Sequence, residues 1–413
     1  MVGLVTNCRA CGGRLSVTMA DLGLQPPSNA FLATMAEAKD EKRYPLRAKV
    51  CERCKLVQVD YDVAPEELFG NYHYFSSFSD EWLAHARRYC EMARRRFALD
   101  SSSLVVELAS NDGYLLRNFV NMGIPVLGVD PSDTVAGAAQ EIGVPTLVEF
   151  FGEASARELK RQGRCADLIV GNNVLAHVPQ LNDFVAGIAV LLKPEGNVTI
   201  EFPHLLKLIE HVEFDTIYHE HYSYISLYAI EQVFGRHGLR IHDAEELPTH
   251  GGSLRIYACH AARAGLPDSA QLLKLRAQEA AAGLDNLDTF LRFAERLEAC
   301  RRSVLDFLAQ AKREGKVVAA YGAAAKGNTL LNFCGLTRDD IPMVADRSPH
   351  KQSKLLPGSH IPVVSPDELM KAAPDYVLVL PWNLQEEIRR QLDGIRAWGG
   401  RFVIPVPVVR ILP

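Results

Sequence analysis

Two pairs of cysteines near the start of the chain have the spacing of metal ligands. Cys8 and Cys11 form one CxxC pair, and Cys51 and Cys54 form the other. A two-residue spacer lets both thiolates of a pair reach one ion, and four thiolates fill the tetrahedral shell of Zn²⁺ with no open position. The sequence therefore predicts a structural zinc site. Four unrelated buried thiols are the alternative; a redox CxxC is a weaker one, because neither pair opens a helix after a strand. The long segment between the pairs predicts a further small element inside it.

The run VVELASNDGYLL joins a short apolar strand to a turn of small and acidic residues that opens a helix. Glu107 stands at the end of the strand, and Ala109, Asn111, Asp112 and Gly113 belong to the turn. Open α/β sheets bind ligands at this carboxyl edge. The turn lacks the GxGxxG pattern of a dinucleotide site, in which the backbone must approach a pyrophosphate closely.

Two further strand ends add polar groups to the same edge. Asp130 ends the second strand of this region, where a carboxylate can accept hydrogen bonds from both ribose hydroxyls, and Asn172 and Asn173 end the fourth. Together these residues predict a pocket for an adenosine without a diphosphate, which fits S-adenosylmethionine (SAM) better than NAD. Asp130 alone has a simpler alternative role, that of capping the following helix.

Tyr218, His219, Glu220 and His221 bring a phenol, two imidazoles and a carboxylate together in four consecutive residues. Histidine has an ordinary pKa of about 6.5, which suits a general base at neutral pH. In a strand Glu220 and His221 would face opposite sides, so both can serve one site only if the segment is a loop or bulge. A second metal site is an alternative use of the cluster, and we expect His219 to be a packing or surface residue.

A second small-residue turn, GAAAKGNT, follows a strand and opens a helix. The free N–H groups of a helix start and the charge of Lys326 favour an anion such as a diphosphate, with Asn328 and Thr329 beside it. Lysine precedes glycine here, so this is not a Walker A loop. A tight helix start with a solvated lysine is the alternative. Asp346 and Arg347 end the next strand and are candidates to bind a base or ribose.

The chain divides into four regions that differ in their sequence pattern, and these regions must position the groups described above. Residues 1–70 hold the cysteine pairs and many turn formers, and predict a zinc-binding domain. Residues 71–267 alternate apolar strands with helices, which predicts a parallel sheet with crossover helices, and residues 315–413 repeat that pattern. Residues 268–314 keep apolar residues at three- and four-residue intervals without proline, so we expect a helical connector. The predicted fold class is α/β, with Rossmann-like central and C-terminal domains.

The expected strands of the two α/β zones are short apolar runs; they are Ser103–Leu108, Pro125–Asp130, Val144–Val148, Ala166–Val170, Asn197–Phe202, Lys316–Tyr321, Pro342–Asp346, Tyr376–Pro381 and Arg401–Pro405. Helices are expected at Asp183–Leu192 and Ala325–Phe333. The run HGGS at His250–Ser253 is typical of a turn that either brings backbone near a substrate or closes a hairpin.

Composition excludes several classes. The chain has 413 residues, of which 48% are hydrophobic, enough for two or three domain cores. A net charge of −5 argues against general nucleic-acid binding, and no apolar run reaches the ~20 residues of a membrane span. The first residues lack the pattern of a signal peptide, so we expect a cytoplasmic protein. The other cysteines are expected in or near the core; they are Cys90, Cys165, Cys259, Cys300 and Cys334.

Several motifs occur in one order along nearly the whole chain: the two CxxC pairs, GNYHYFSSFSD, ELASNDGYLL, NNVLAHVPQLNDF, FDTIYHEHYSY, HGGSLRIY and YGAAAKGNTLLN. In this order they resemble the three-domain sugar C-methyltransferase family. The resemblance implies an N-terminal domain with structural zinc, a middle domain that binds SAM, and a C-terminal domain that helps bind a nucleotide-linked keto-deoxysugar, commonly a dTDP-4-keto sugar methylated at C3. It also implies a monomer. The sequence departs from the family at Ala109, where glycine is usual.

The resemblance also implies residue roles. A sugar carbon becomes a nucleophile only as a carbanion, and a ketone at C4 acidifies the proton at C3, so the site needs a base and donors to the ketone oxygen. By resemblance His221 is the base, and Glu220 orients its imidazole or binds the sugar. The other implied active-site and substrate positions are Tyr72, Tyr74, His177 and Tyr218.

Other functions stay open. An NAD-linked sugar-nucleotide oxidoreductase or epimerase would use both α/β zones, but it needs a glycine-rich pyrophosphate turn that neither zone has. A non-enzymatic zinc module that binds nucleic acid or protein conflicts with the acidic charge and with the His-Glu-His cluster. Single residues also have structural alternatives: Tyr72 and Tyr74 can fix a lid to the sheet, and His177 can cap a loop.

Overall fold

The computed structural model describes residues 3–64, 67–68, 76–78 and 80–412. Tyr72 and Tyr74 lie outside these described residues. Within them, the strands form three larger sheets and one two-stranded sheet, in which β1 (Gly3–Leu4) pairs with β5 (Tyr61–Asp62).

The N-terminal sheet has four antiparallel strands in the order β11-β4-β3-β2; their bounds are β2 Val17–Gln25, β3 Tyr44–Val50, β4 Val57–Val59 and β11 Ser223–Tyr224. Strands β2 and β3 lie between the two cysteine pairs, which confirms the extra element predicted there. Strand β11 comes from the middle of the chain, and Ser223 pairs with Gln58. The zinc-binding sheet thereby holds the segment that directly follows His221.

The central sheet has seven strands in the order β12-β13-β10-β9-β6-β7-β8; their bounds are β6 Val105–Leu108, β7 Val126–Asp130, β8 Thr146–Val148, β9 Ala166–Asn172, β10 Leu192–Pro203, β12 Leu239–Leu247 and β13 Ser253–His260. Five neighbouring strands, β10, β9, β6, β7 and β8, are parallel to one another as predicted. Strand β13 is antiparallel to both β10 and β12. The expectation of a wholly parallel sheet misses this, because a hairpin needs no crossover helix. The HGGS run closes that hairpin.

The central sheet reverses its strand order between β6 and β9, the kind of switch point at which such sheets bind ligands. Helices link its strands; they are α1 Asp80–Arg96, α2 Leu116–Asn121, α3 Asp133–Glu141, α4 Glu153–Arg161, α5 Leu181–Leu191, α6 Leu205–His211 and α7 Leu227–Arg236. In α5 the buried residues repeat at three- and four-residue intervals, the pattern that seats one helix face on a sheet; they include Leu181, Phe184, Val185 and Ile188.

The predicted helical connector contains three helices; they are α8 Ala270–Ala281, α9 Leu287–Leu291 and α10 Phe293–Arg313. Gly283, which follows α8, has a φ of +74°, a left-handed conformation that ends a helix at little cost. The side chains of α10 that face inward are mainly apolar, and they join the core that lies under the N-terminal and C-terminal sheets.

The C-terminal sheet has six strands in the order β16-β15-β14-β17-β18-β19; their bounds are β14 Val318–Tyr321, β15 Val344–Ala345, β16 Val363–Val364, β17 Tyr376–Val379, β18 Arg401–Ile404 and β19 Arg410–Leu412. All but β19 are parallel. Its helices are α11 Ala325–Cys334, α12 Pro366–Ala372 and α13 Gln385–Gln391. This sheet reverses its order between β14 and β17.

One apolar cluster connects the three units; its members include Leu46 and Val57 of the N-terminal sheet, Phe214 and Tyr222 of the central segment, Val304 of α10, and Leu330 and Val403 of the C-terminal unit. The segment 214–224 therefore lies where the three units meet. Across the part of the chain that the structure describes, every helix is too short or too polar to cross a membrane.

Candidate active site and zinc centre

The four cysteines of the two CxxC pairs converge. All their sulfur atoms lie within 4.8 Å of one another, with Sγ–Sγ distances of 3.5 Å for Cys8 and Cys54 and 3.4 Å for Cys11 and Cys51. A tetrahedral zinc with Zn–S bonds of about 2.3 Å would space its sulfurs by about 3.8 Å. The donor set and its spacing therefore fit Zn²⁺, and four protein ligands leave no position for substrate.

The two knuckles of this centre have matching turns. Gly12 donates its N–H to the Cys8 carbonyl at 2.8 Å, and Lys55 donates to the Cys51 carbonyl at 3.0 Å. Both turn residues have positive φ, +67° at Gly12 and +58° at Lys55. Of the remaining cysteines, Cys165 is partly exposed and the other four are buried, as predicted.

The turn after β6 carries a buried carboxyl. Glu107 is fully buried, and neither of its oxygens has a hydrogen-bond partner among the described residues. Burial, followed by the charges of Asp130 and Asp112, raises the pKa of Glu107 well above its ordinary value. A buried, unpartnered carboxyl at a switch point fits a ligand that brings a cationic donor, such as the ammonium group of SAM.

Asp130 fixes the shape of this turn. Its Oδ2 accepts the N–H of Asn111 at 3.0 Å, and its Oδ1 accepts the N–H of Ser132 at 3.0 Å. The second bond is a local turn contact and not a helix cap, because the residue that precedes the next helix is Ser132. Each oxygen keeps another lone pair, so these two contacts do not exclude a ribose hydroxyl.

A short segment crosses the same turn. Ser76 donates its N–H to Asn111 Oδ1 at 2.9 Å, and Ser77 donates to Asp112 Oδ2 at 3.1 Å. These side chains, expected to bind the cofactor, therefore also hold the backbone that follows the GNYHYF motif.

Asn172 is buried at the end of β9, and Asn173 connects this edge to the hairpin that follows β12. Its Nδ2 lies 2.9 Å from His250 Nε2, and the His250 carbonyl accepts a hydrogen bond from Lys326 Nζ at 3.4 Å. The pocket edge of the central sheet thus continues to the C-terminal unit, and the HGGS backbone lies between them.

Residues 218–221 form a turn, which meets the condition set by the sequence. His221 donates its backbone N–H to the Tyr218 carbonyl at 2.9 Å. The ring centroid of His221 lies 4.0 Å from that of Tyr218 and 4.7 Å from that of His177. Three of the predicted catalytic residues are therefore adjacent.

The tautomer of His221 follows from its partner. Nδ1 lies 2.9 Å from the Thr216 carbonyl oxygen, which can only accept, so Nδ1 carries the hydrogen. The lone pair is then on Nε2, the state that a general base needs. His177 makes the equivalent bond, since its Nδ1 lies 2.7 Å from the Glu220 carbonyl oxygen.

Burial changes the basicity of both rings. Burial, and next the neighbouring His177, lower the pKa of His221 well below its ordinary value, and burial lowers the pKa of His177. The pKa of His221 is therefore lower than the ordinary histidine value that made it a candidate base. Burial favours the neutral ring and makes it a weaker base, and a negative charge that forms beside it would strengthen it.

Glu220 contacts the N-terminal unit. Asn29 Nδ2 donates to Glu220 Oε1 at 3.1 Å, and burial raises the pKa of Glu220 to about 7. The His221 ring is oriented by the Thr216 carbonyl, so the Glu220 carboxyl serves another contact. His219 is a packing residue, as expected: its Nε2 lies 3.3 Å from the Pro45 carbonyl oxygen.

The predicted anion site of the C-terminal unit faces this turn. Lys326 Nζ lies 3.3 Å from Asn383 Oδ1 and 4.7 Å from the centre of the Trp382 ring. Thr329 Oγ1 donates to the Ile217 carbonyl at 3.1 Å, so its hydrogen is already used within the protein. Asn328 is buried, and its amide atoms have no partner among the described residues.

Asp346 repeats the arrangement of Asp130. Its Oδ2 accepts the Ala323 N–H at 2.8 Å, and its Oδ1 accepts the Ser348 N–H at 2.8 Å. Lys351 Nζ lies 3.8 Å from Oδ2. Arg347 is exposed and lies 3.9 Å from a carboxylate oxygen of Glu387.

The sequence did not reveal several residues of this site: Asn29, Thr216, Asp215 and Trp382. Asp215 and Thr216 belong to the FDTIYHEHYSY motif, which could have signalled them. Asn29 and Trp382 contact the turn across 191 and 167 residues of chain, and no local pattern marks such contacts.

A buried acid at the switch point of an α/β sheet, together with a four-cysteine centre, fits a SAM-dependent methyltransferase with structural zinc. Family models cover most of it: residues 8–69 match a putative zinc binding domain, residues 82–244 a methyltransferase domain, and residues 248–407 a C-methyltransferase C-terminal domain. The last match begins before β13, so it includes a strand of the central sheet.

A relative matches the chain almost from end to end. The C-methyltransferase NovU of Streptomyces niveus is 35% identical over 410 residues, which span 99% of this chain and 97% of NovU. The chain therefore belongs to this SAM-dependent C-methyltransferase family, and the resemblance seen in the motifs is confirmed.

Solved structures resemble a part of the chain. The PH0226 protein of Pyrococcus horikoshii OT3 is 16% identical and covers 48% of this chain and all of its own, with a TM-score of 0.39. The magnesium protoporphyrin IX methyltransferase of Synechocystis PCC 6803 is 16% identical and covers 47% of this chain and 88% of its own, with a TM-score of 0.33.

Proposed function

We propose that this enzyme methylates a carbon next to a ketone in a nucleotide-linked keto-deoxysugar, with C3 of a dTDP-4-keto sugar as the preferred acceptor. The observation that carries the proposal is the state of His221: a buried, neutral imidazole whose Nδ1–H is held by the Thr216 carbonyl and whose Nε2 keeps its lone pair. Such a group can take a proton from carbon only if the carbon is already acidified, as beside a ketone.

The neighbours of His221 suit the charge that would form. Removing the proton leaves an enolate, whose oxygen needs donors that are already in place. The Tyr218 ring packs against His221, and the His177 ring meets His221 edge to face. We assign to Tyr218 the binding of the enolate oxygen. His177, whose Nδ1–H is held by the Glu220 carbonyl and whose Nε2 can only accept, would bind a hydroxyl group of the sugar. The developing negative charge would raise the basicity of His221 at the moment of transfer.

Two flanking sites would hold the reactants. SAM, when bound, supplies a methyl group on a sulfonium centre that a carbanion can attack. Glu107 would bind its ammonium group, and Asp130 its ribose, with Asn172 and Asn173 beside the adenosine. Lys326, whose ammonium group contacts the His250 carbonyl, and Asn328, whose buried side-chain amide has no partner among the described residues, would bind the diphosphate of the sugar nucleotide. Holding both reactants against the turn 218–221 supplies the alignment that the reaction needs.

The acceptor is tested with a panel of dTDP-linked 4-keto-deoxysugars and SAM, followed by mass spectrometry. The expected product is heavier by one CH₂, with the new methyl on carbon by NMR. A methyl on oxygen or nitrogen, or no product from any keto-sugar, would contradict the proposal.

The role of His221 is tested separately by proton exchange. In D₂O, with S-adenosylhomocysteine in place of SAM, the wild type should exchange the hydrogen next to the ketone for deuterium. His221→Gln should lose exchange and turnover by about 10²–10⁴-fold, whereas His350→Gln, which changes an exposed histidine, should keep both. Equal exchange by His221→Gln would show that another group is the base.

A further inference from the structure

The C-terminal unit donates hydrogen bonds to the chain on both sides of Thr216. Asp215 is fully buried, and its Oδ2 accepts the indole N–H of Trp382 at 2.7 Å. On the other side, the carbonyl of Ile217 accepts the hydroxyl hydrogen of Thr329 at 3.1 Å. Both donors belong to the C-terminal unit, and both acceptors are direct neighbours of the residue whose carbonyl holds His221.

Side-chain packing also holds the segment around Thr216 against the C-terminal unit. The ring of Phe214 meets that of Phe333 of α11 edge to face, with centroids 5.3 Å apart. Phe214, Asp215 and Thr216 form one 3-10 turn, within which Ile217 donates its N–H to the Phe214 carbonyl at 2.9 Å. A change at either end of this turn would therefore rotate the peptide that carries the Thr216 carbonyl.

We propose that Trp382 and Thr329 are positioning residues for His221: the docked C-terminal unit fixes the Thr216 carbonyl, and that carbonyl fixes the tautomer and orientation of the imidazole. The inference rests on the proposed role of His221 as the base. It gives the C-terminal unit a part in the deprotonation step, in addition to the proposed binding of the sugar nucleotide.

The alternative tautomer explains why such a grip matters. If the Thr216 carbonyl turned away, Nδ1 would lose its acceptor, and the ring could place its hydrogen on Nε2 instead. Nε2 would then be a donor directed at the substrate and could not accept a proton from carbon. Two side-chain hydrogen bonds from the C-terminal unit hold the turn against that change.

The test uses the full-length protein labelled with ¹⁵N-histidine. Side-chain ¹⁵N–¹H correlation spectra distinguish a ring with hydrogen on Nδ1 from one with hydrogen on Nε2, and the signal lost in His221→Gln identifies His221. Trp382→Phe keeps an aromatic ring near Lys326 but removes the donor to Asp215, and Thr329→Val keeps the shape of the side chain but removes its hydroxyl.

We expect the wild type to show His221 with hydrogen on Nδ1 only. Each single variant should show a mixture of tautomers, the double variant should show more of the Nε2–H form, and kcat should fall roughly tenfold per variant with KM changed less than about twofold. The matched control is Trp398→Phe, because Trp398 donates its indole N–H to the Pro374 carbonyl at 2.9 Å within the same unit. It should leave the tautomer and kcat unchanged.

The outcomes separate the two proposals. If the folded double variant keeps His221 with hydrogen on Nδ1 only, the positioning role is refuted, whatever the activity. If Trp398→Phe shifts the tautomer equally, the effect is a general loosening of the unit, which also refutes it. If the wild type methylates no keto-sugar but the tautomer shifts as expected, the grip stands and the proposed acceptor fails.

Discussion

The two α/β units build the same turn and surround it with opposite charge. In the central unit Ala109 donates its N–H to the Val129 carbonyl, and Asp130 accepts N–H groups from the first turn and from Ser132. In the C-terminal unit Gly322 donates to the Ala345 carbonyl, and Asp346 accepts N–H groups in the same way. Each aspartate thereby ties the end of the second strand to the turn after the first.

The neighbours of the two aspartates differ. Near Asp130 stand two further acids, Glu107 and Asp112, whose charges act on one another. Near Asp346 stands Lys351, and Lys326 opens the adjacent helix. On the proposed function, we therefore expect the central unit to bind a cationic group and the C-terminal unit an anionic one, with the added charges, more than the backbone, selecting the ligand.

The largest expected effect comes from a change in the zinc centre, which belongs to neither α/β unit. Cys51→Ser should remove zinc and cut turnover by at least about 100-fold, because β4 begins at Val57, shortly after Cys54, and pairs with β11 beside His221. SAM affinity should fall less than turnover: the knuckle cysteines share an apolar cluster with β6 and β7, but the side-chain hydrogen bonds of the central turn run to Ser76, Ser77 and Asp130. Metal analysis, calorimetry and turnover measure the three quantities.

Cys165→Ser, which changes a partly exposed thiol outside the zinc cluster, is the control and should keep zinc and activity. If Cys51→Ser abolished SAM binding as well, the two α/β sites would not be independent of the zinc-binding sheet.

The next effect tests the acidic side of the comparison. Glu107→Gln keeps the shape of the side chain but removes its charge, and should weaken SAM binding about 10–100-fold, the loss typical of a charged hydrogen bond. Asp346→Asn should leave SAM binding unchanged and weaken the sugar nucleotide instead. Calorimetric titration of each ligand checks both; equal weakening of SAM by the two variants would remove the distinction between the units.

The raised pKa of Glu107 adds a pH dependence with a definite sign. Because the pKa of Glu107 is raised in the free protein, a cationic ligand that needs the carboxylate competes with a proton, so SAM affinity should rise with pH until the pKa of the free form is passed. Titrations in buffers of different ionisation enthalpy would count the proton released, and Glu107→Gln should release none. A proton count that is the same in wild type and variant would place the titrating group elsewhere.

A smaller effect tests the basic side. Lys326→Met keeps the length of the side chain and its packing near Trp382, and should raise KM for the sugar nucleotide about tenfold with SAM affinity unchanged. The effect is moderate because Lys351 supplies a second charge. Lys371→Met, an exposed lysine of α12, is the matched control. A rise in the Kd of SAM with Lys326→Met would mean that Lys326 serves the central pocket.

The sequence predicted the elements that carry a local pattern, and missed contacts that depend on three dimensions. The strand ends at Glu107 and Asp130 could be placed because apolar runs end there, and the cysteine pairs because their spacing is chemical. Strand β11 has only two residues, too few for any periodicity, so nothing local shows that it joins the N-terminal sheet. For the same reason the Thr216 carbonyl could not be seen as the group that orients His221.

The burial of the His221 turn could not be predicted from the sequence either. A sequence alone supplies only the ordinary pKa of histidine, and the lowered pKa of His221 depends on the three units that close over one turn. The contact between Trp382 and Asp215 likewise depends on how two separately predicted units dock.

The smallest expected effect comes from Ala109→Gly, which gives the central turn the glycine that the C-terminal turn has at Gly322. Ala109 has a φ of +56°, whereas its counterpart Gly322 has +95°. A left-handed conformation costs an alanine about 1 kcal/mol more than a glycine, and part of that gain is offset because glycine is freer in the unfolded chain. Ala109→Gly should therefore raise the free energy of unfolding by at most about 1 kcal/mol. SAM affinity should stay almost unchanged, because the Ala109 methyl packs against the apolar cluster of the central unit and we expect only the backbone to contact the cofactor. The reverse change, Gly322→Ala, should destabilise, since its Cβ would lie 2.3 Å from Pro381 Cδ. Thermal unfolding should show a slightly higher melting temperature for Ala109→Gly and a lower one for Gly322→Ala. A lower melting temperature for Ala109→Gly would show that the alanine methyl contributes packing that outweighs its strain.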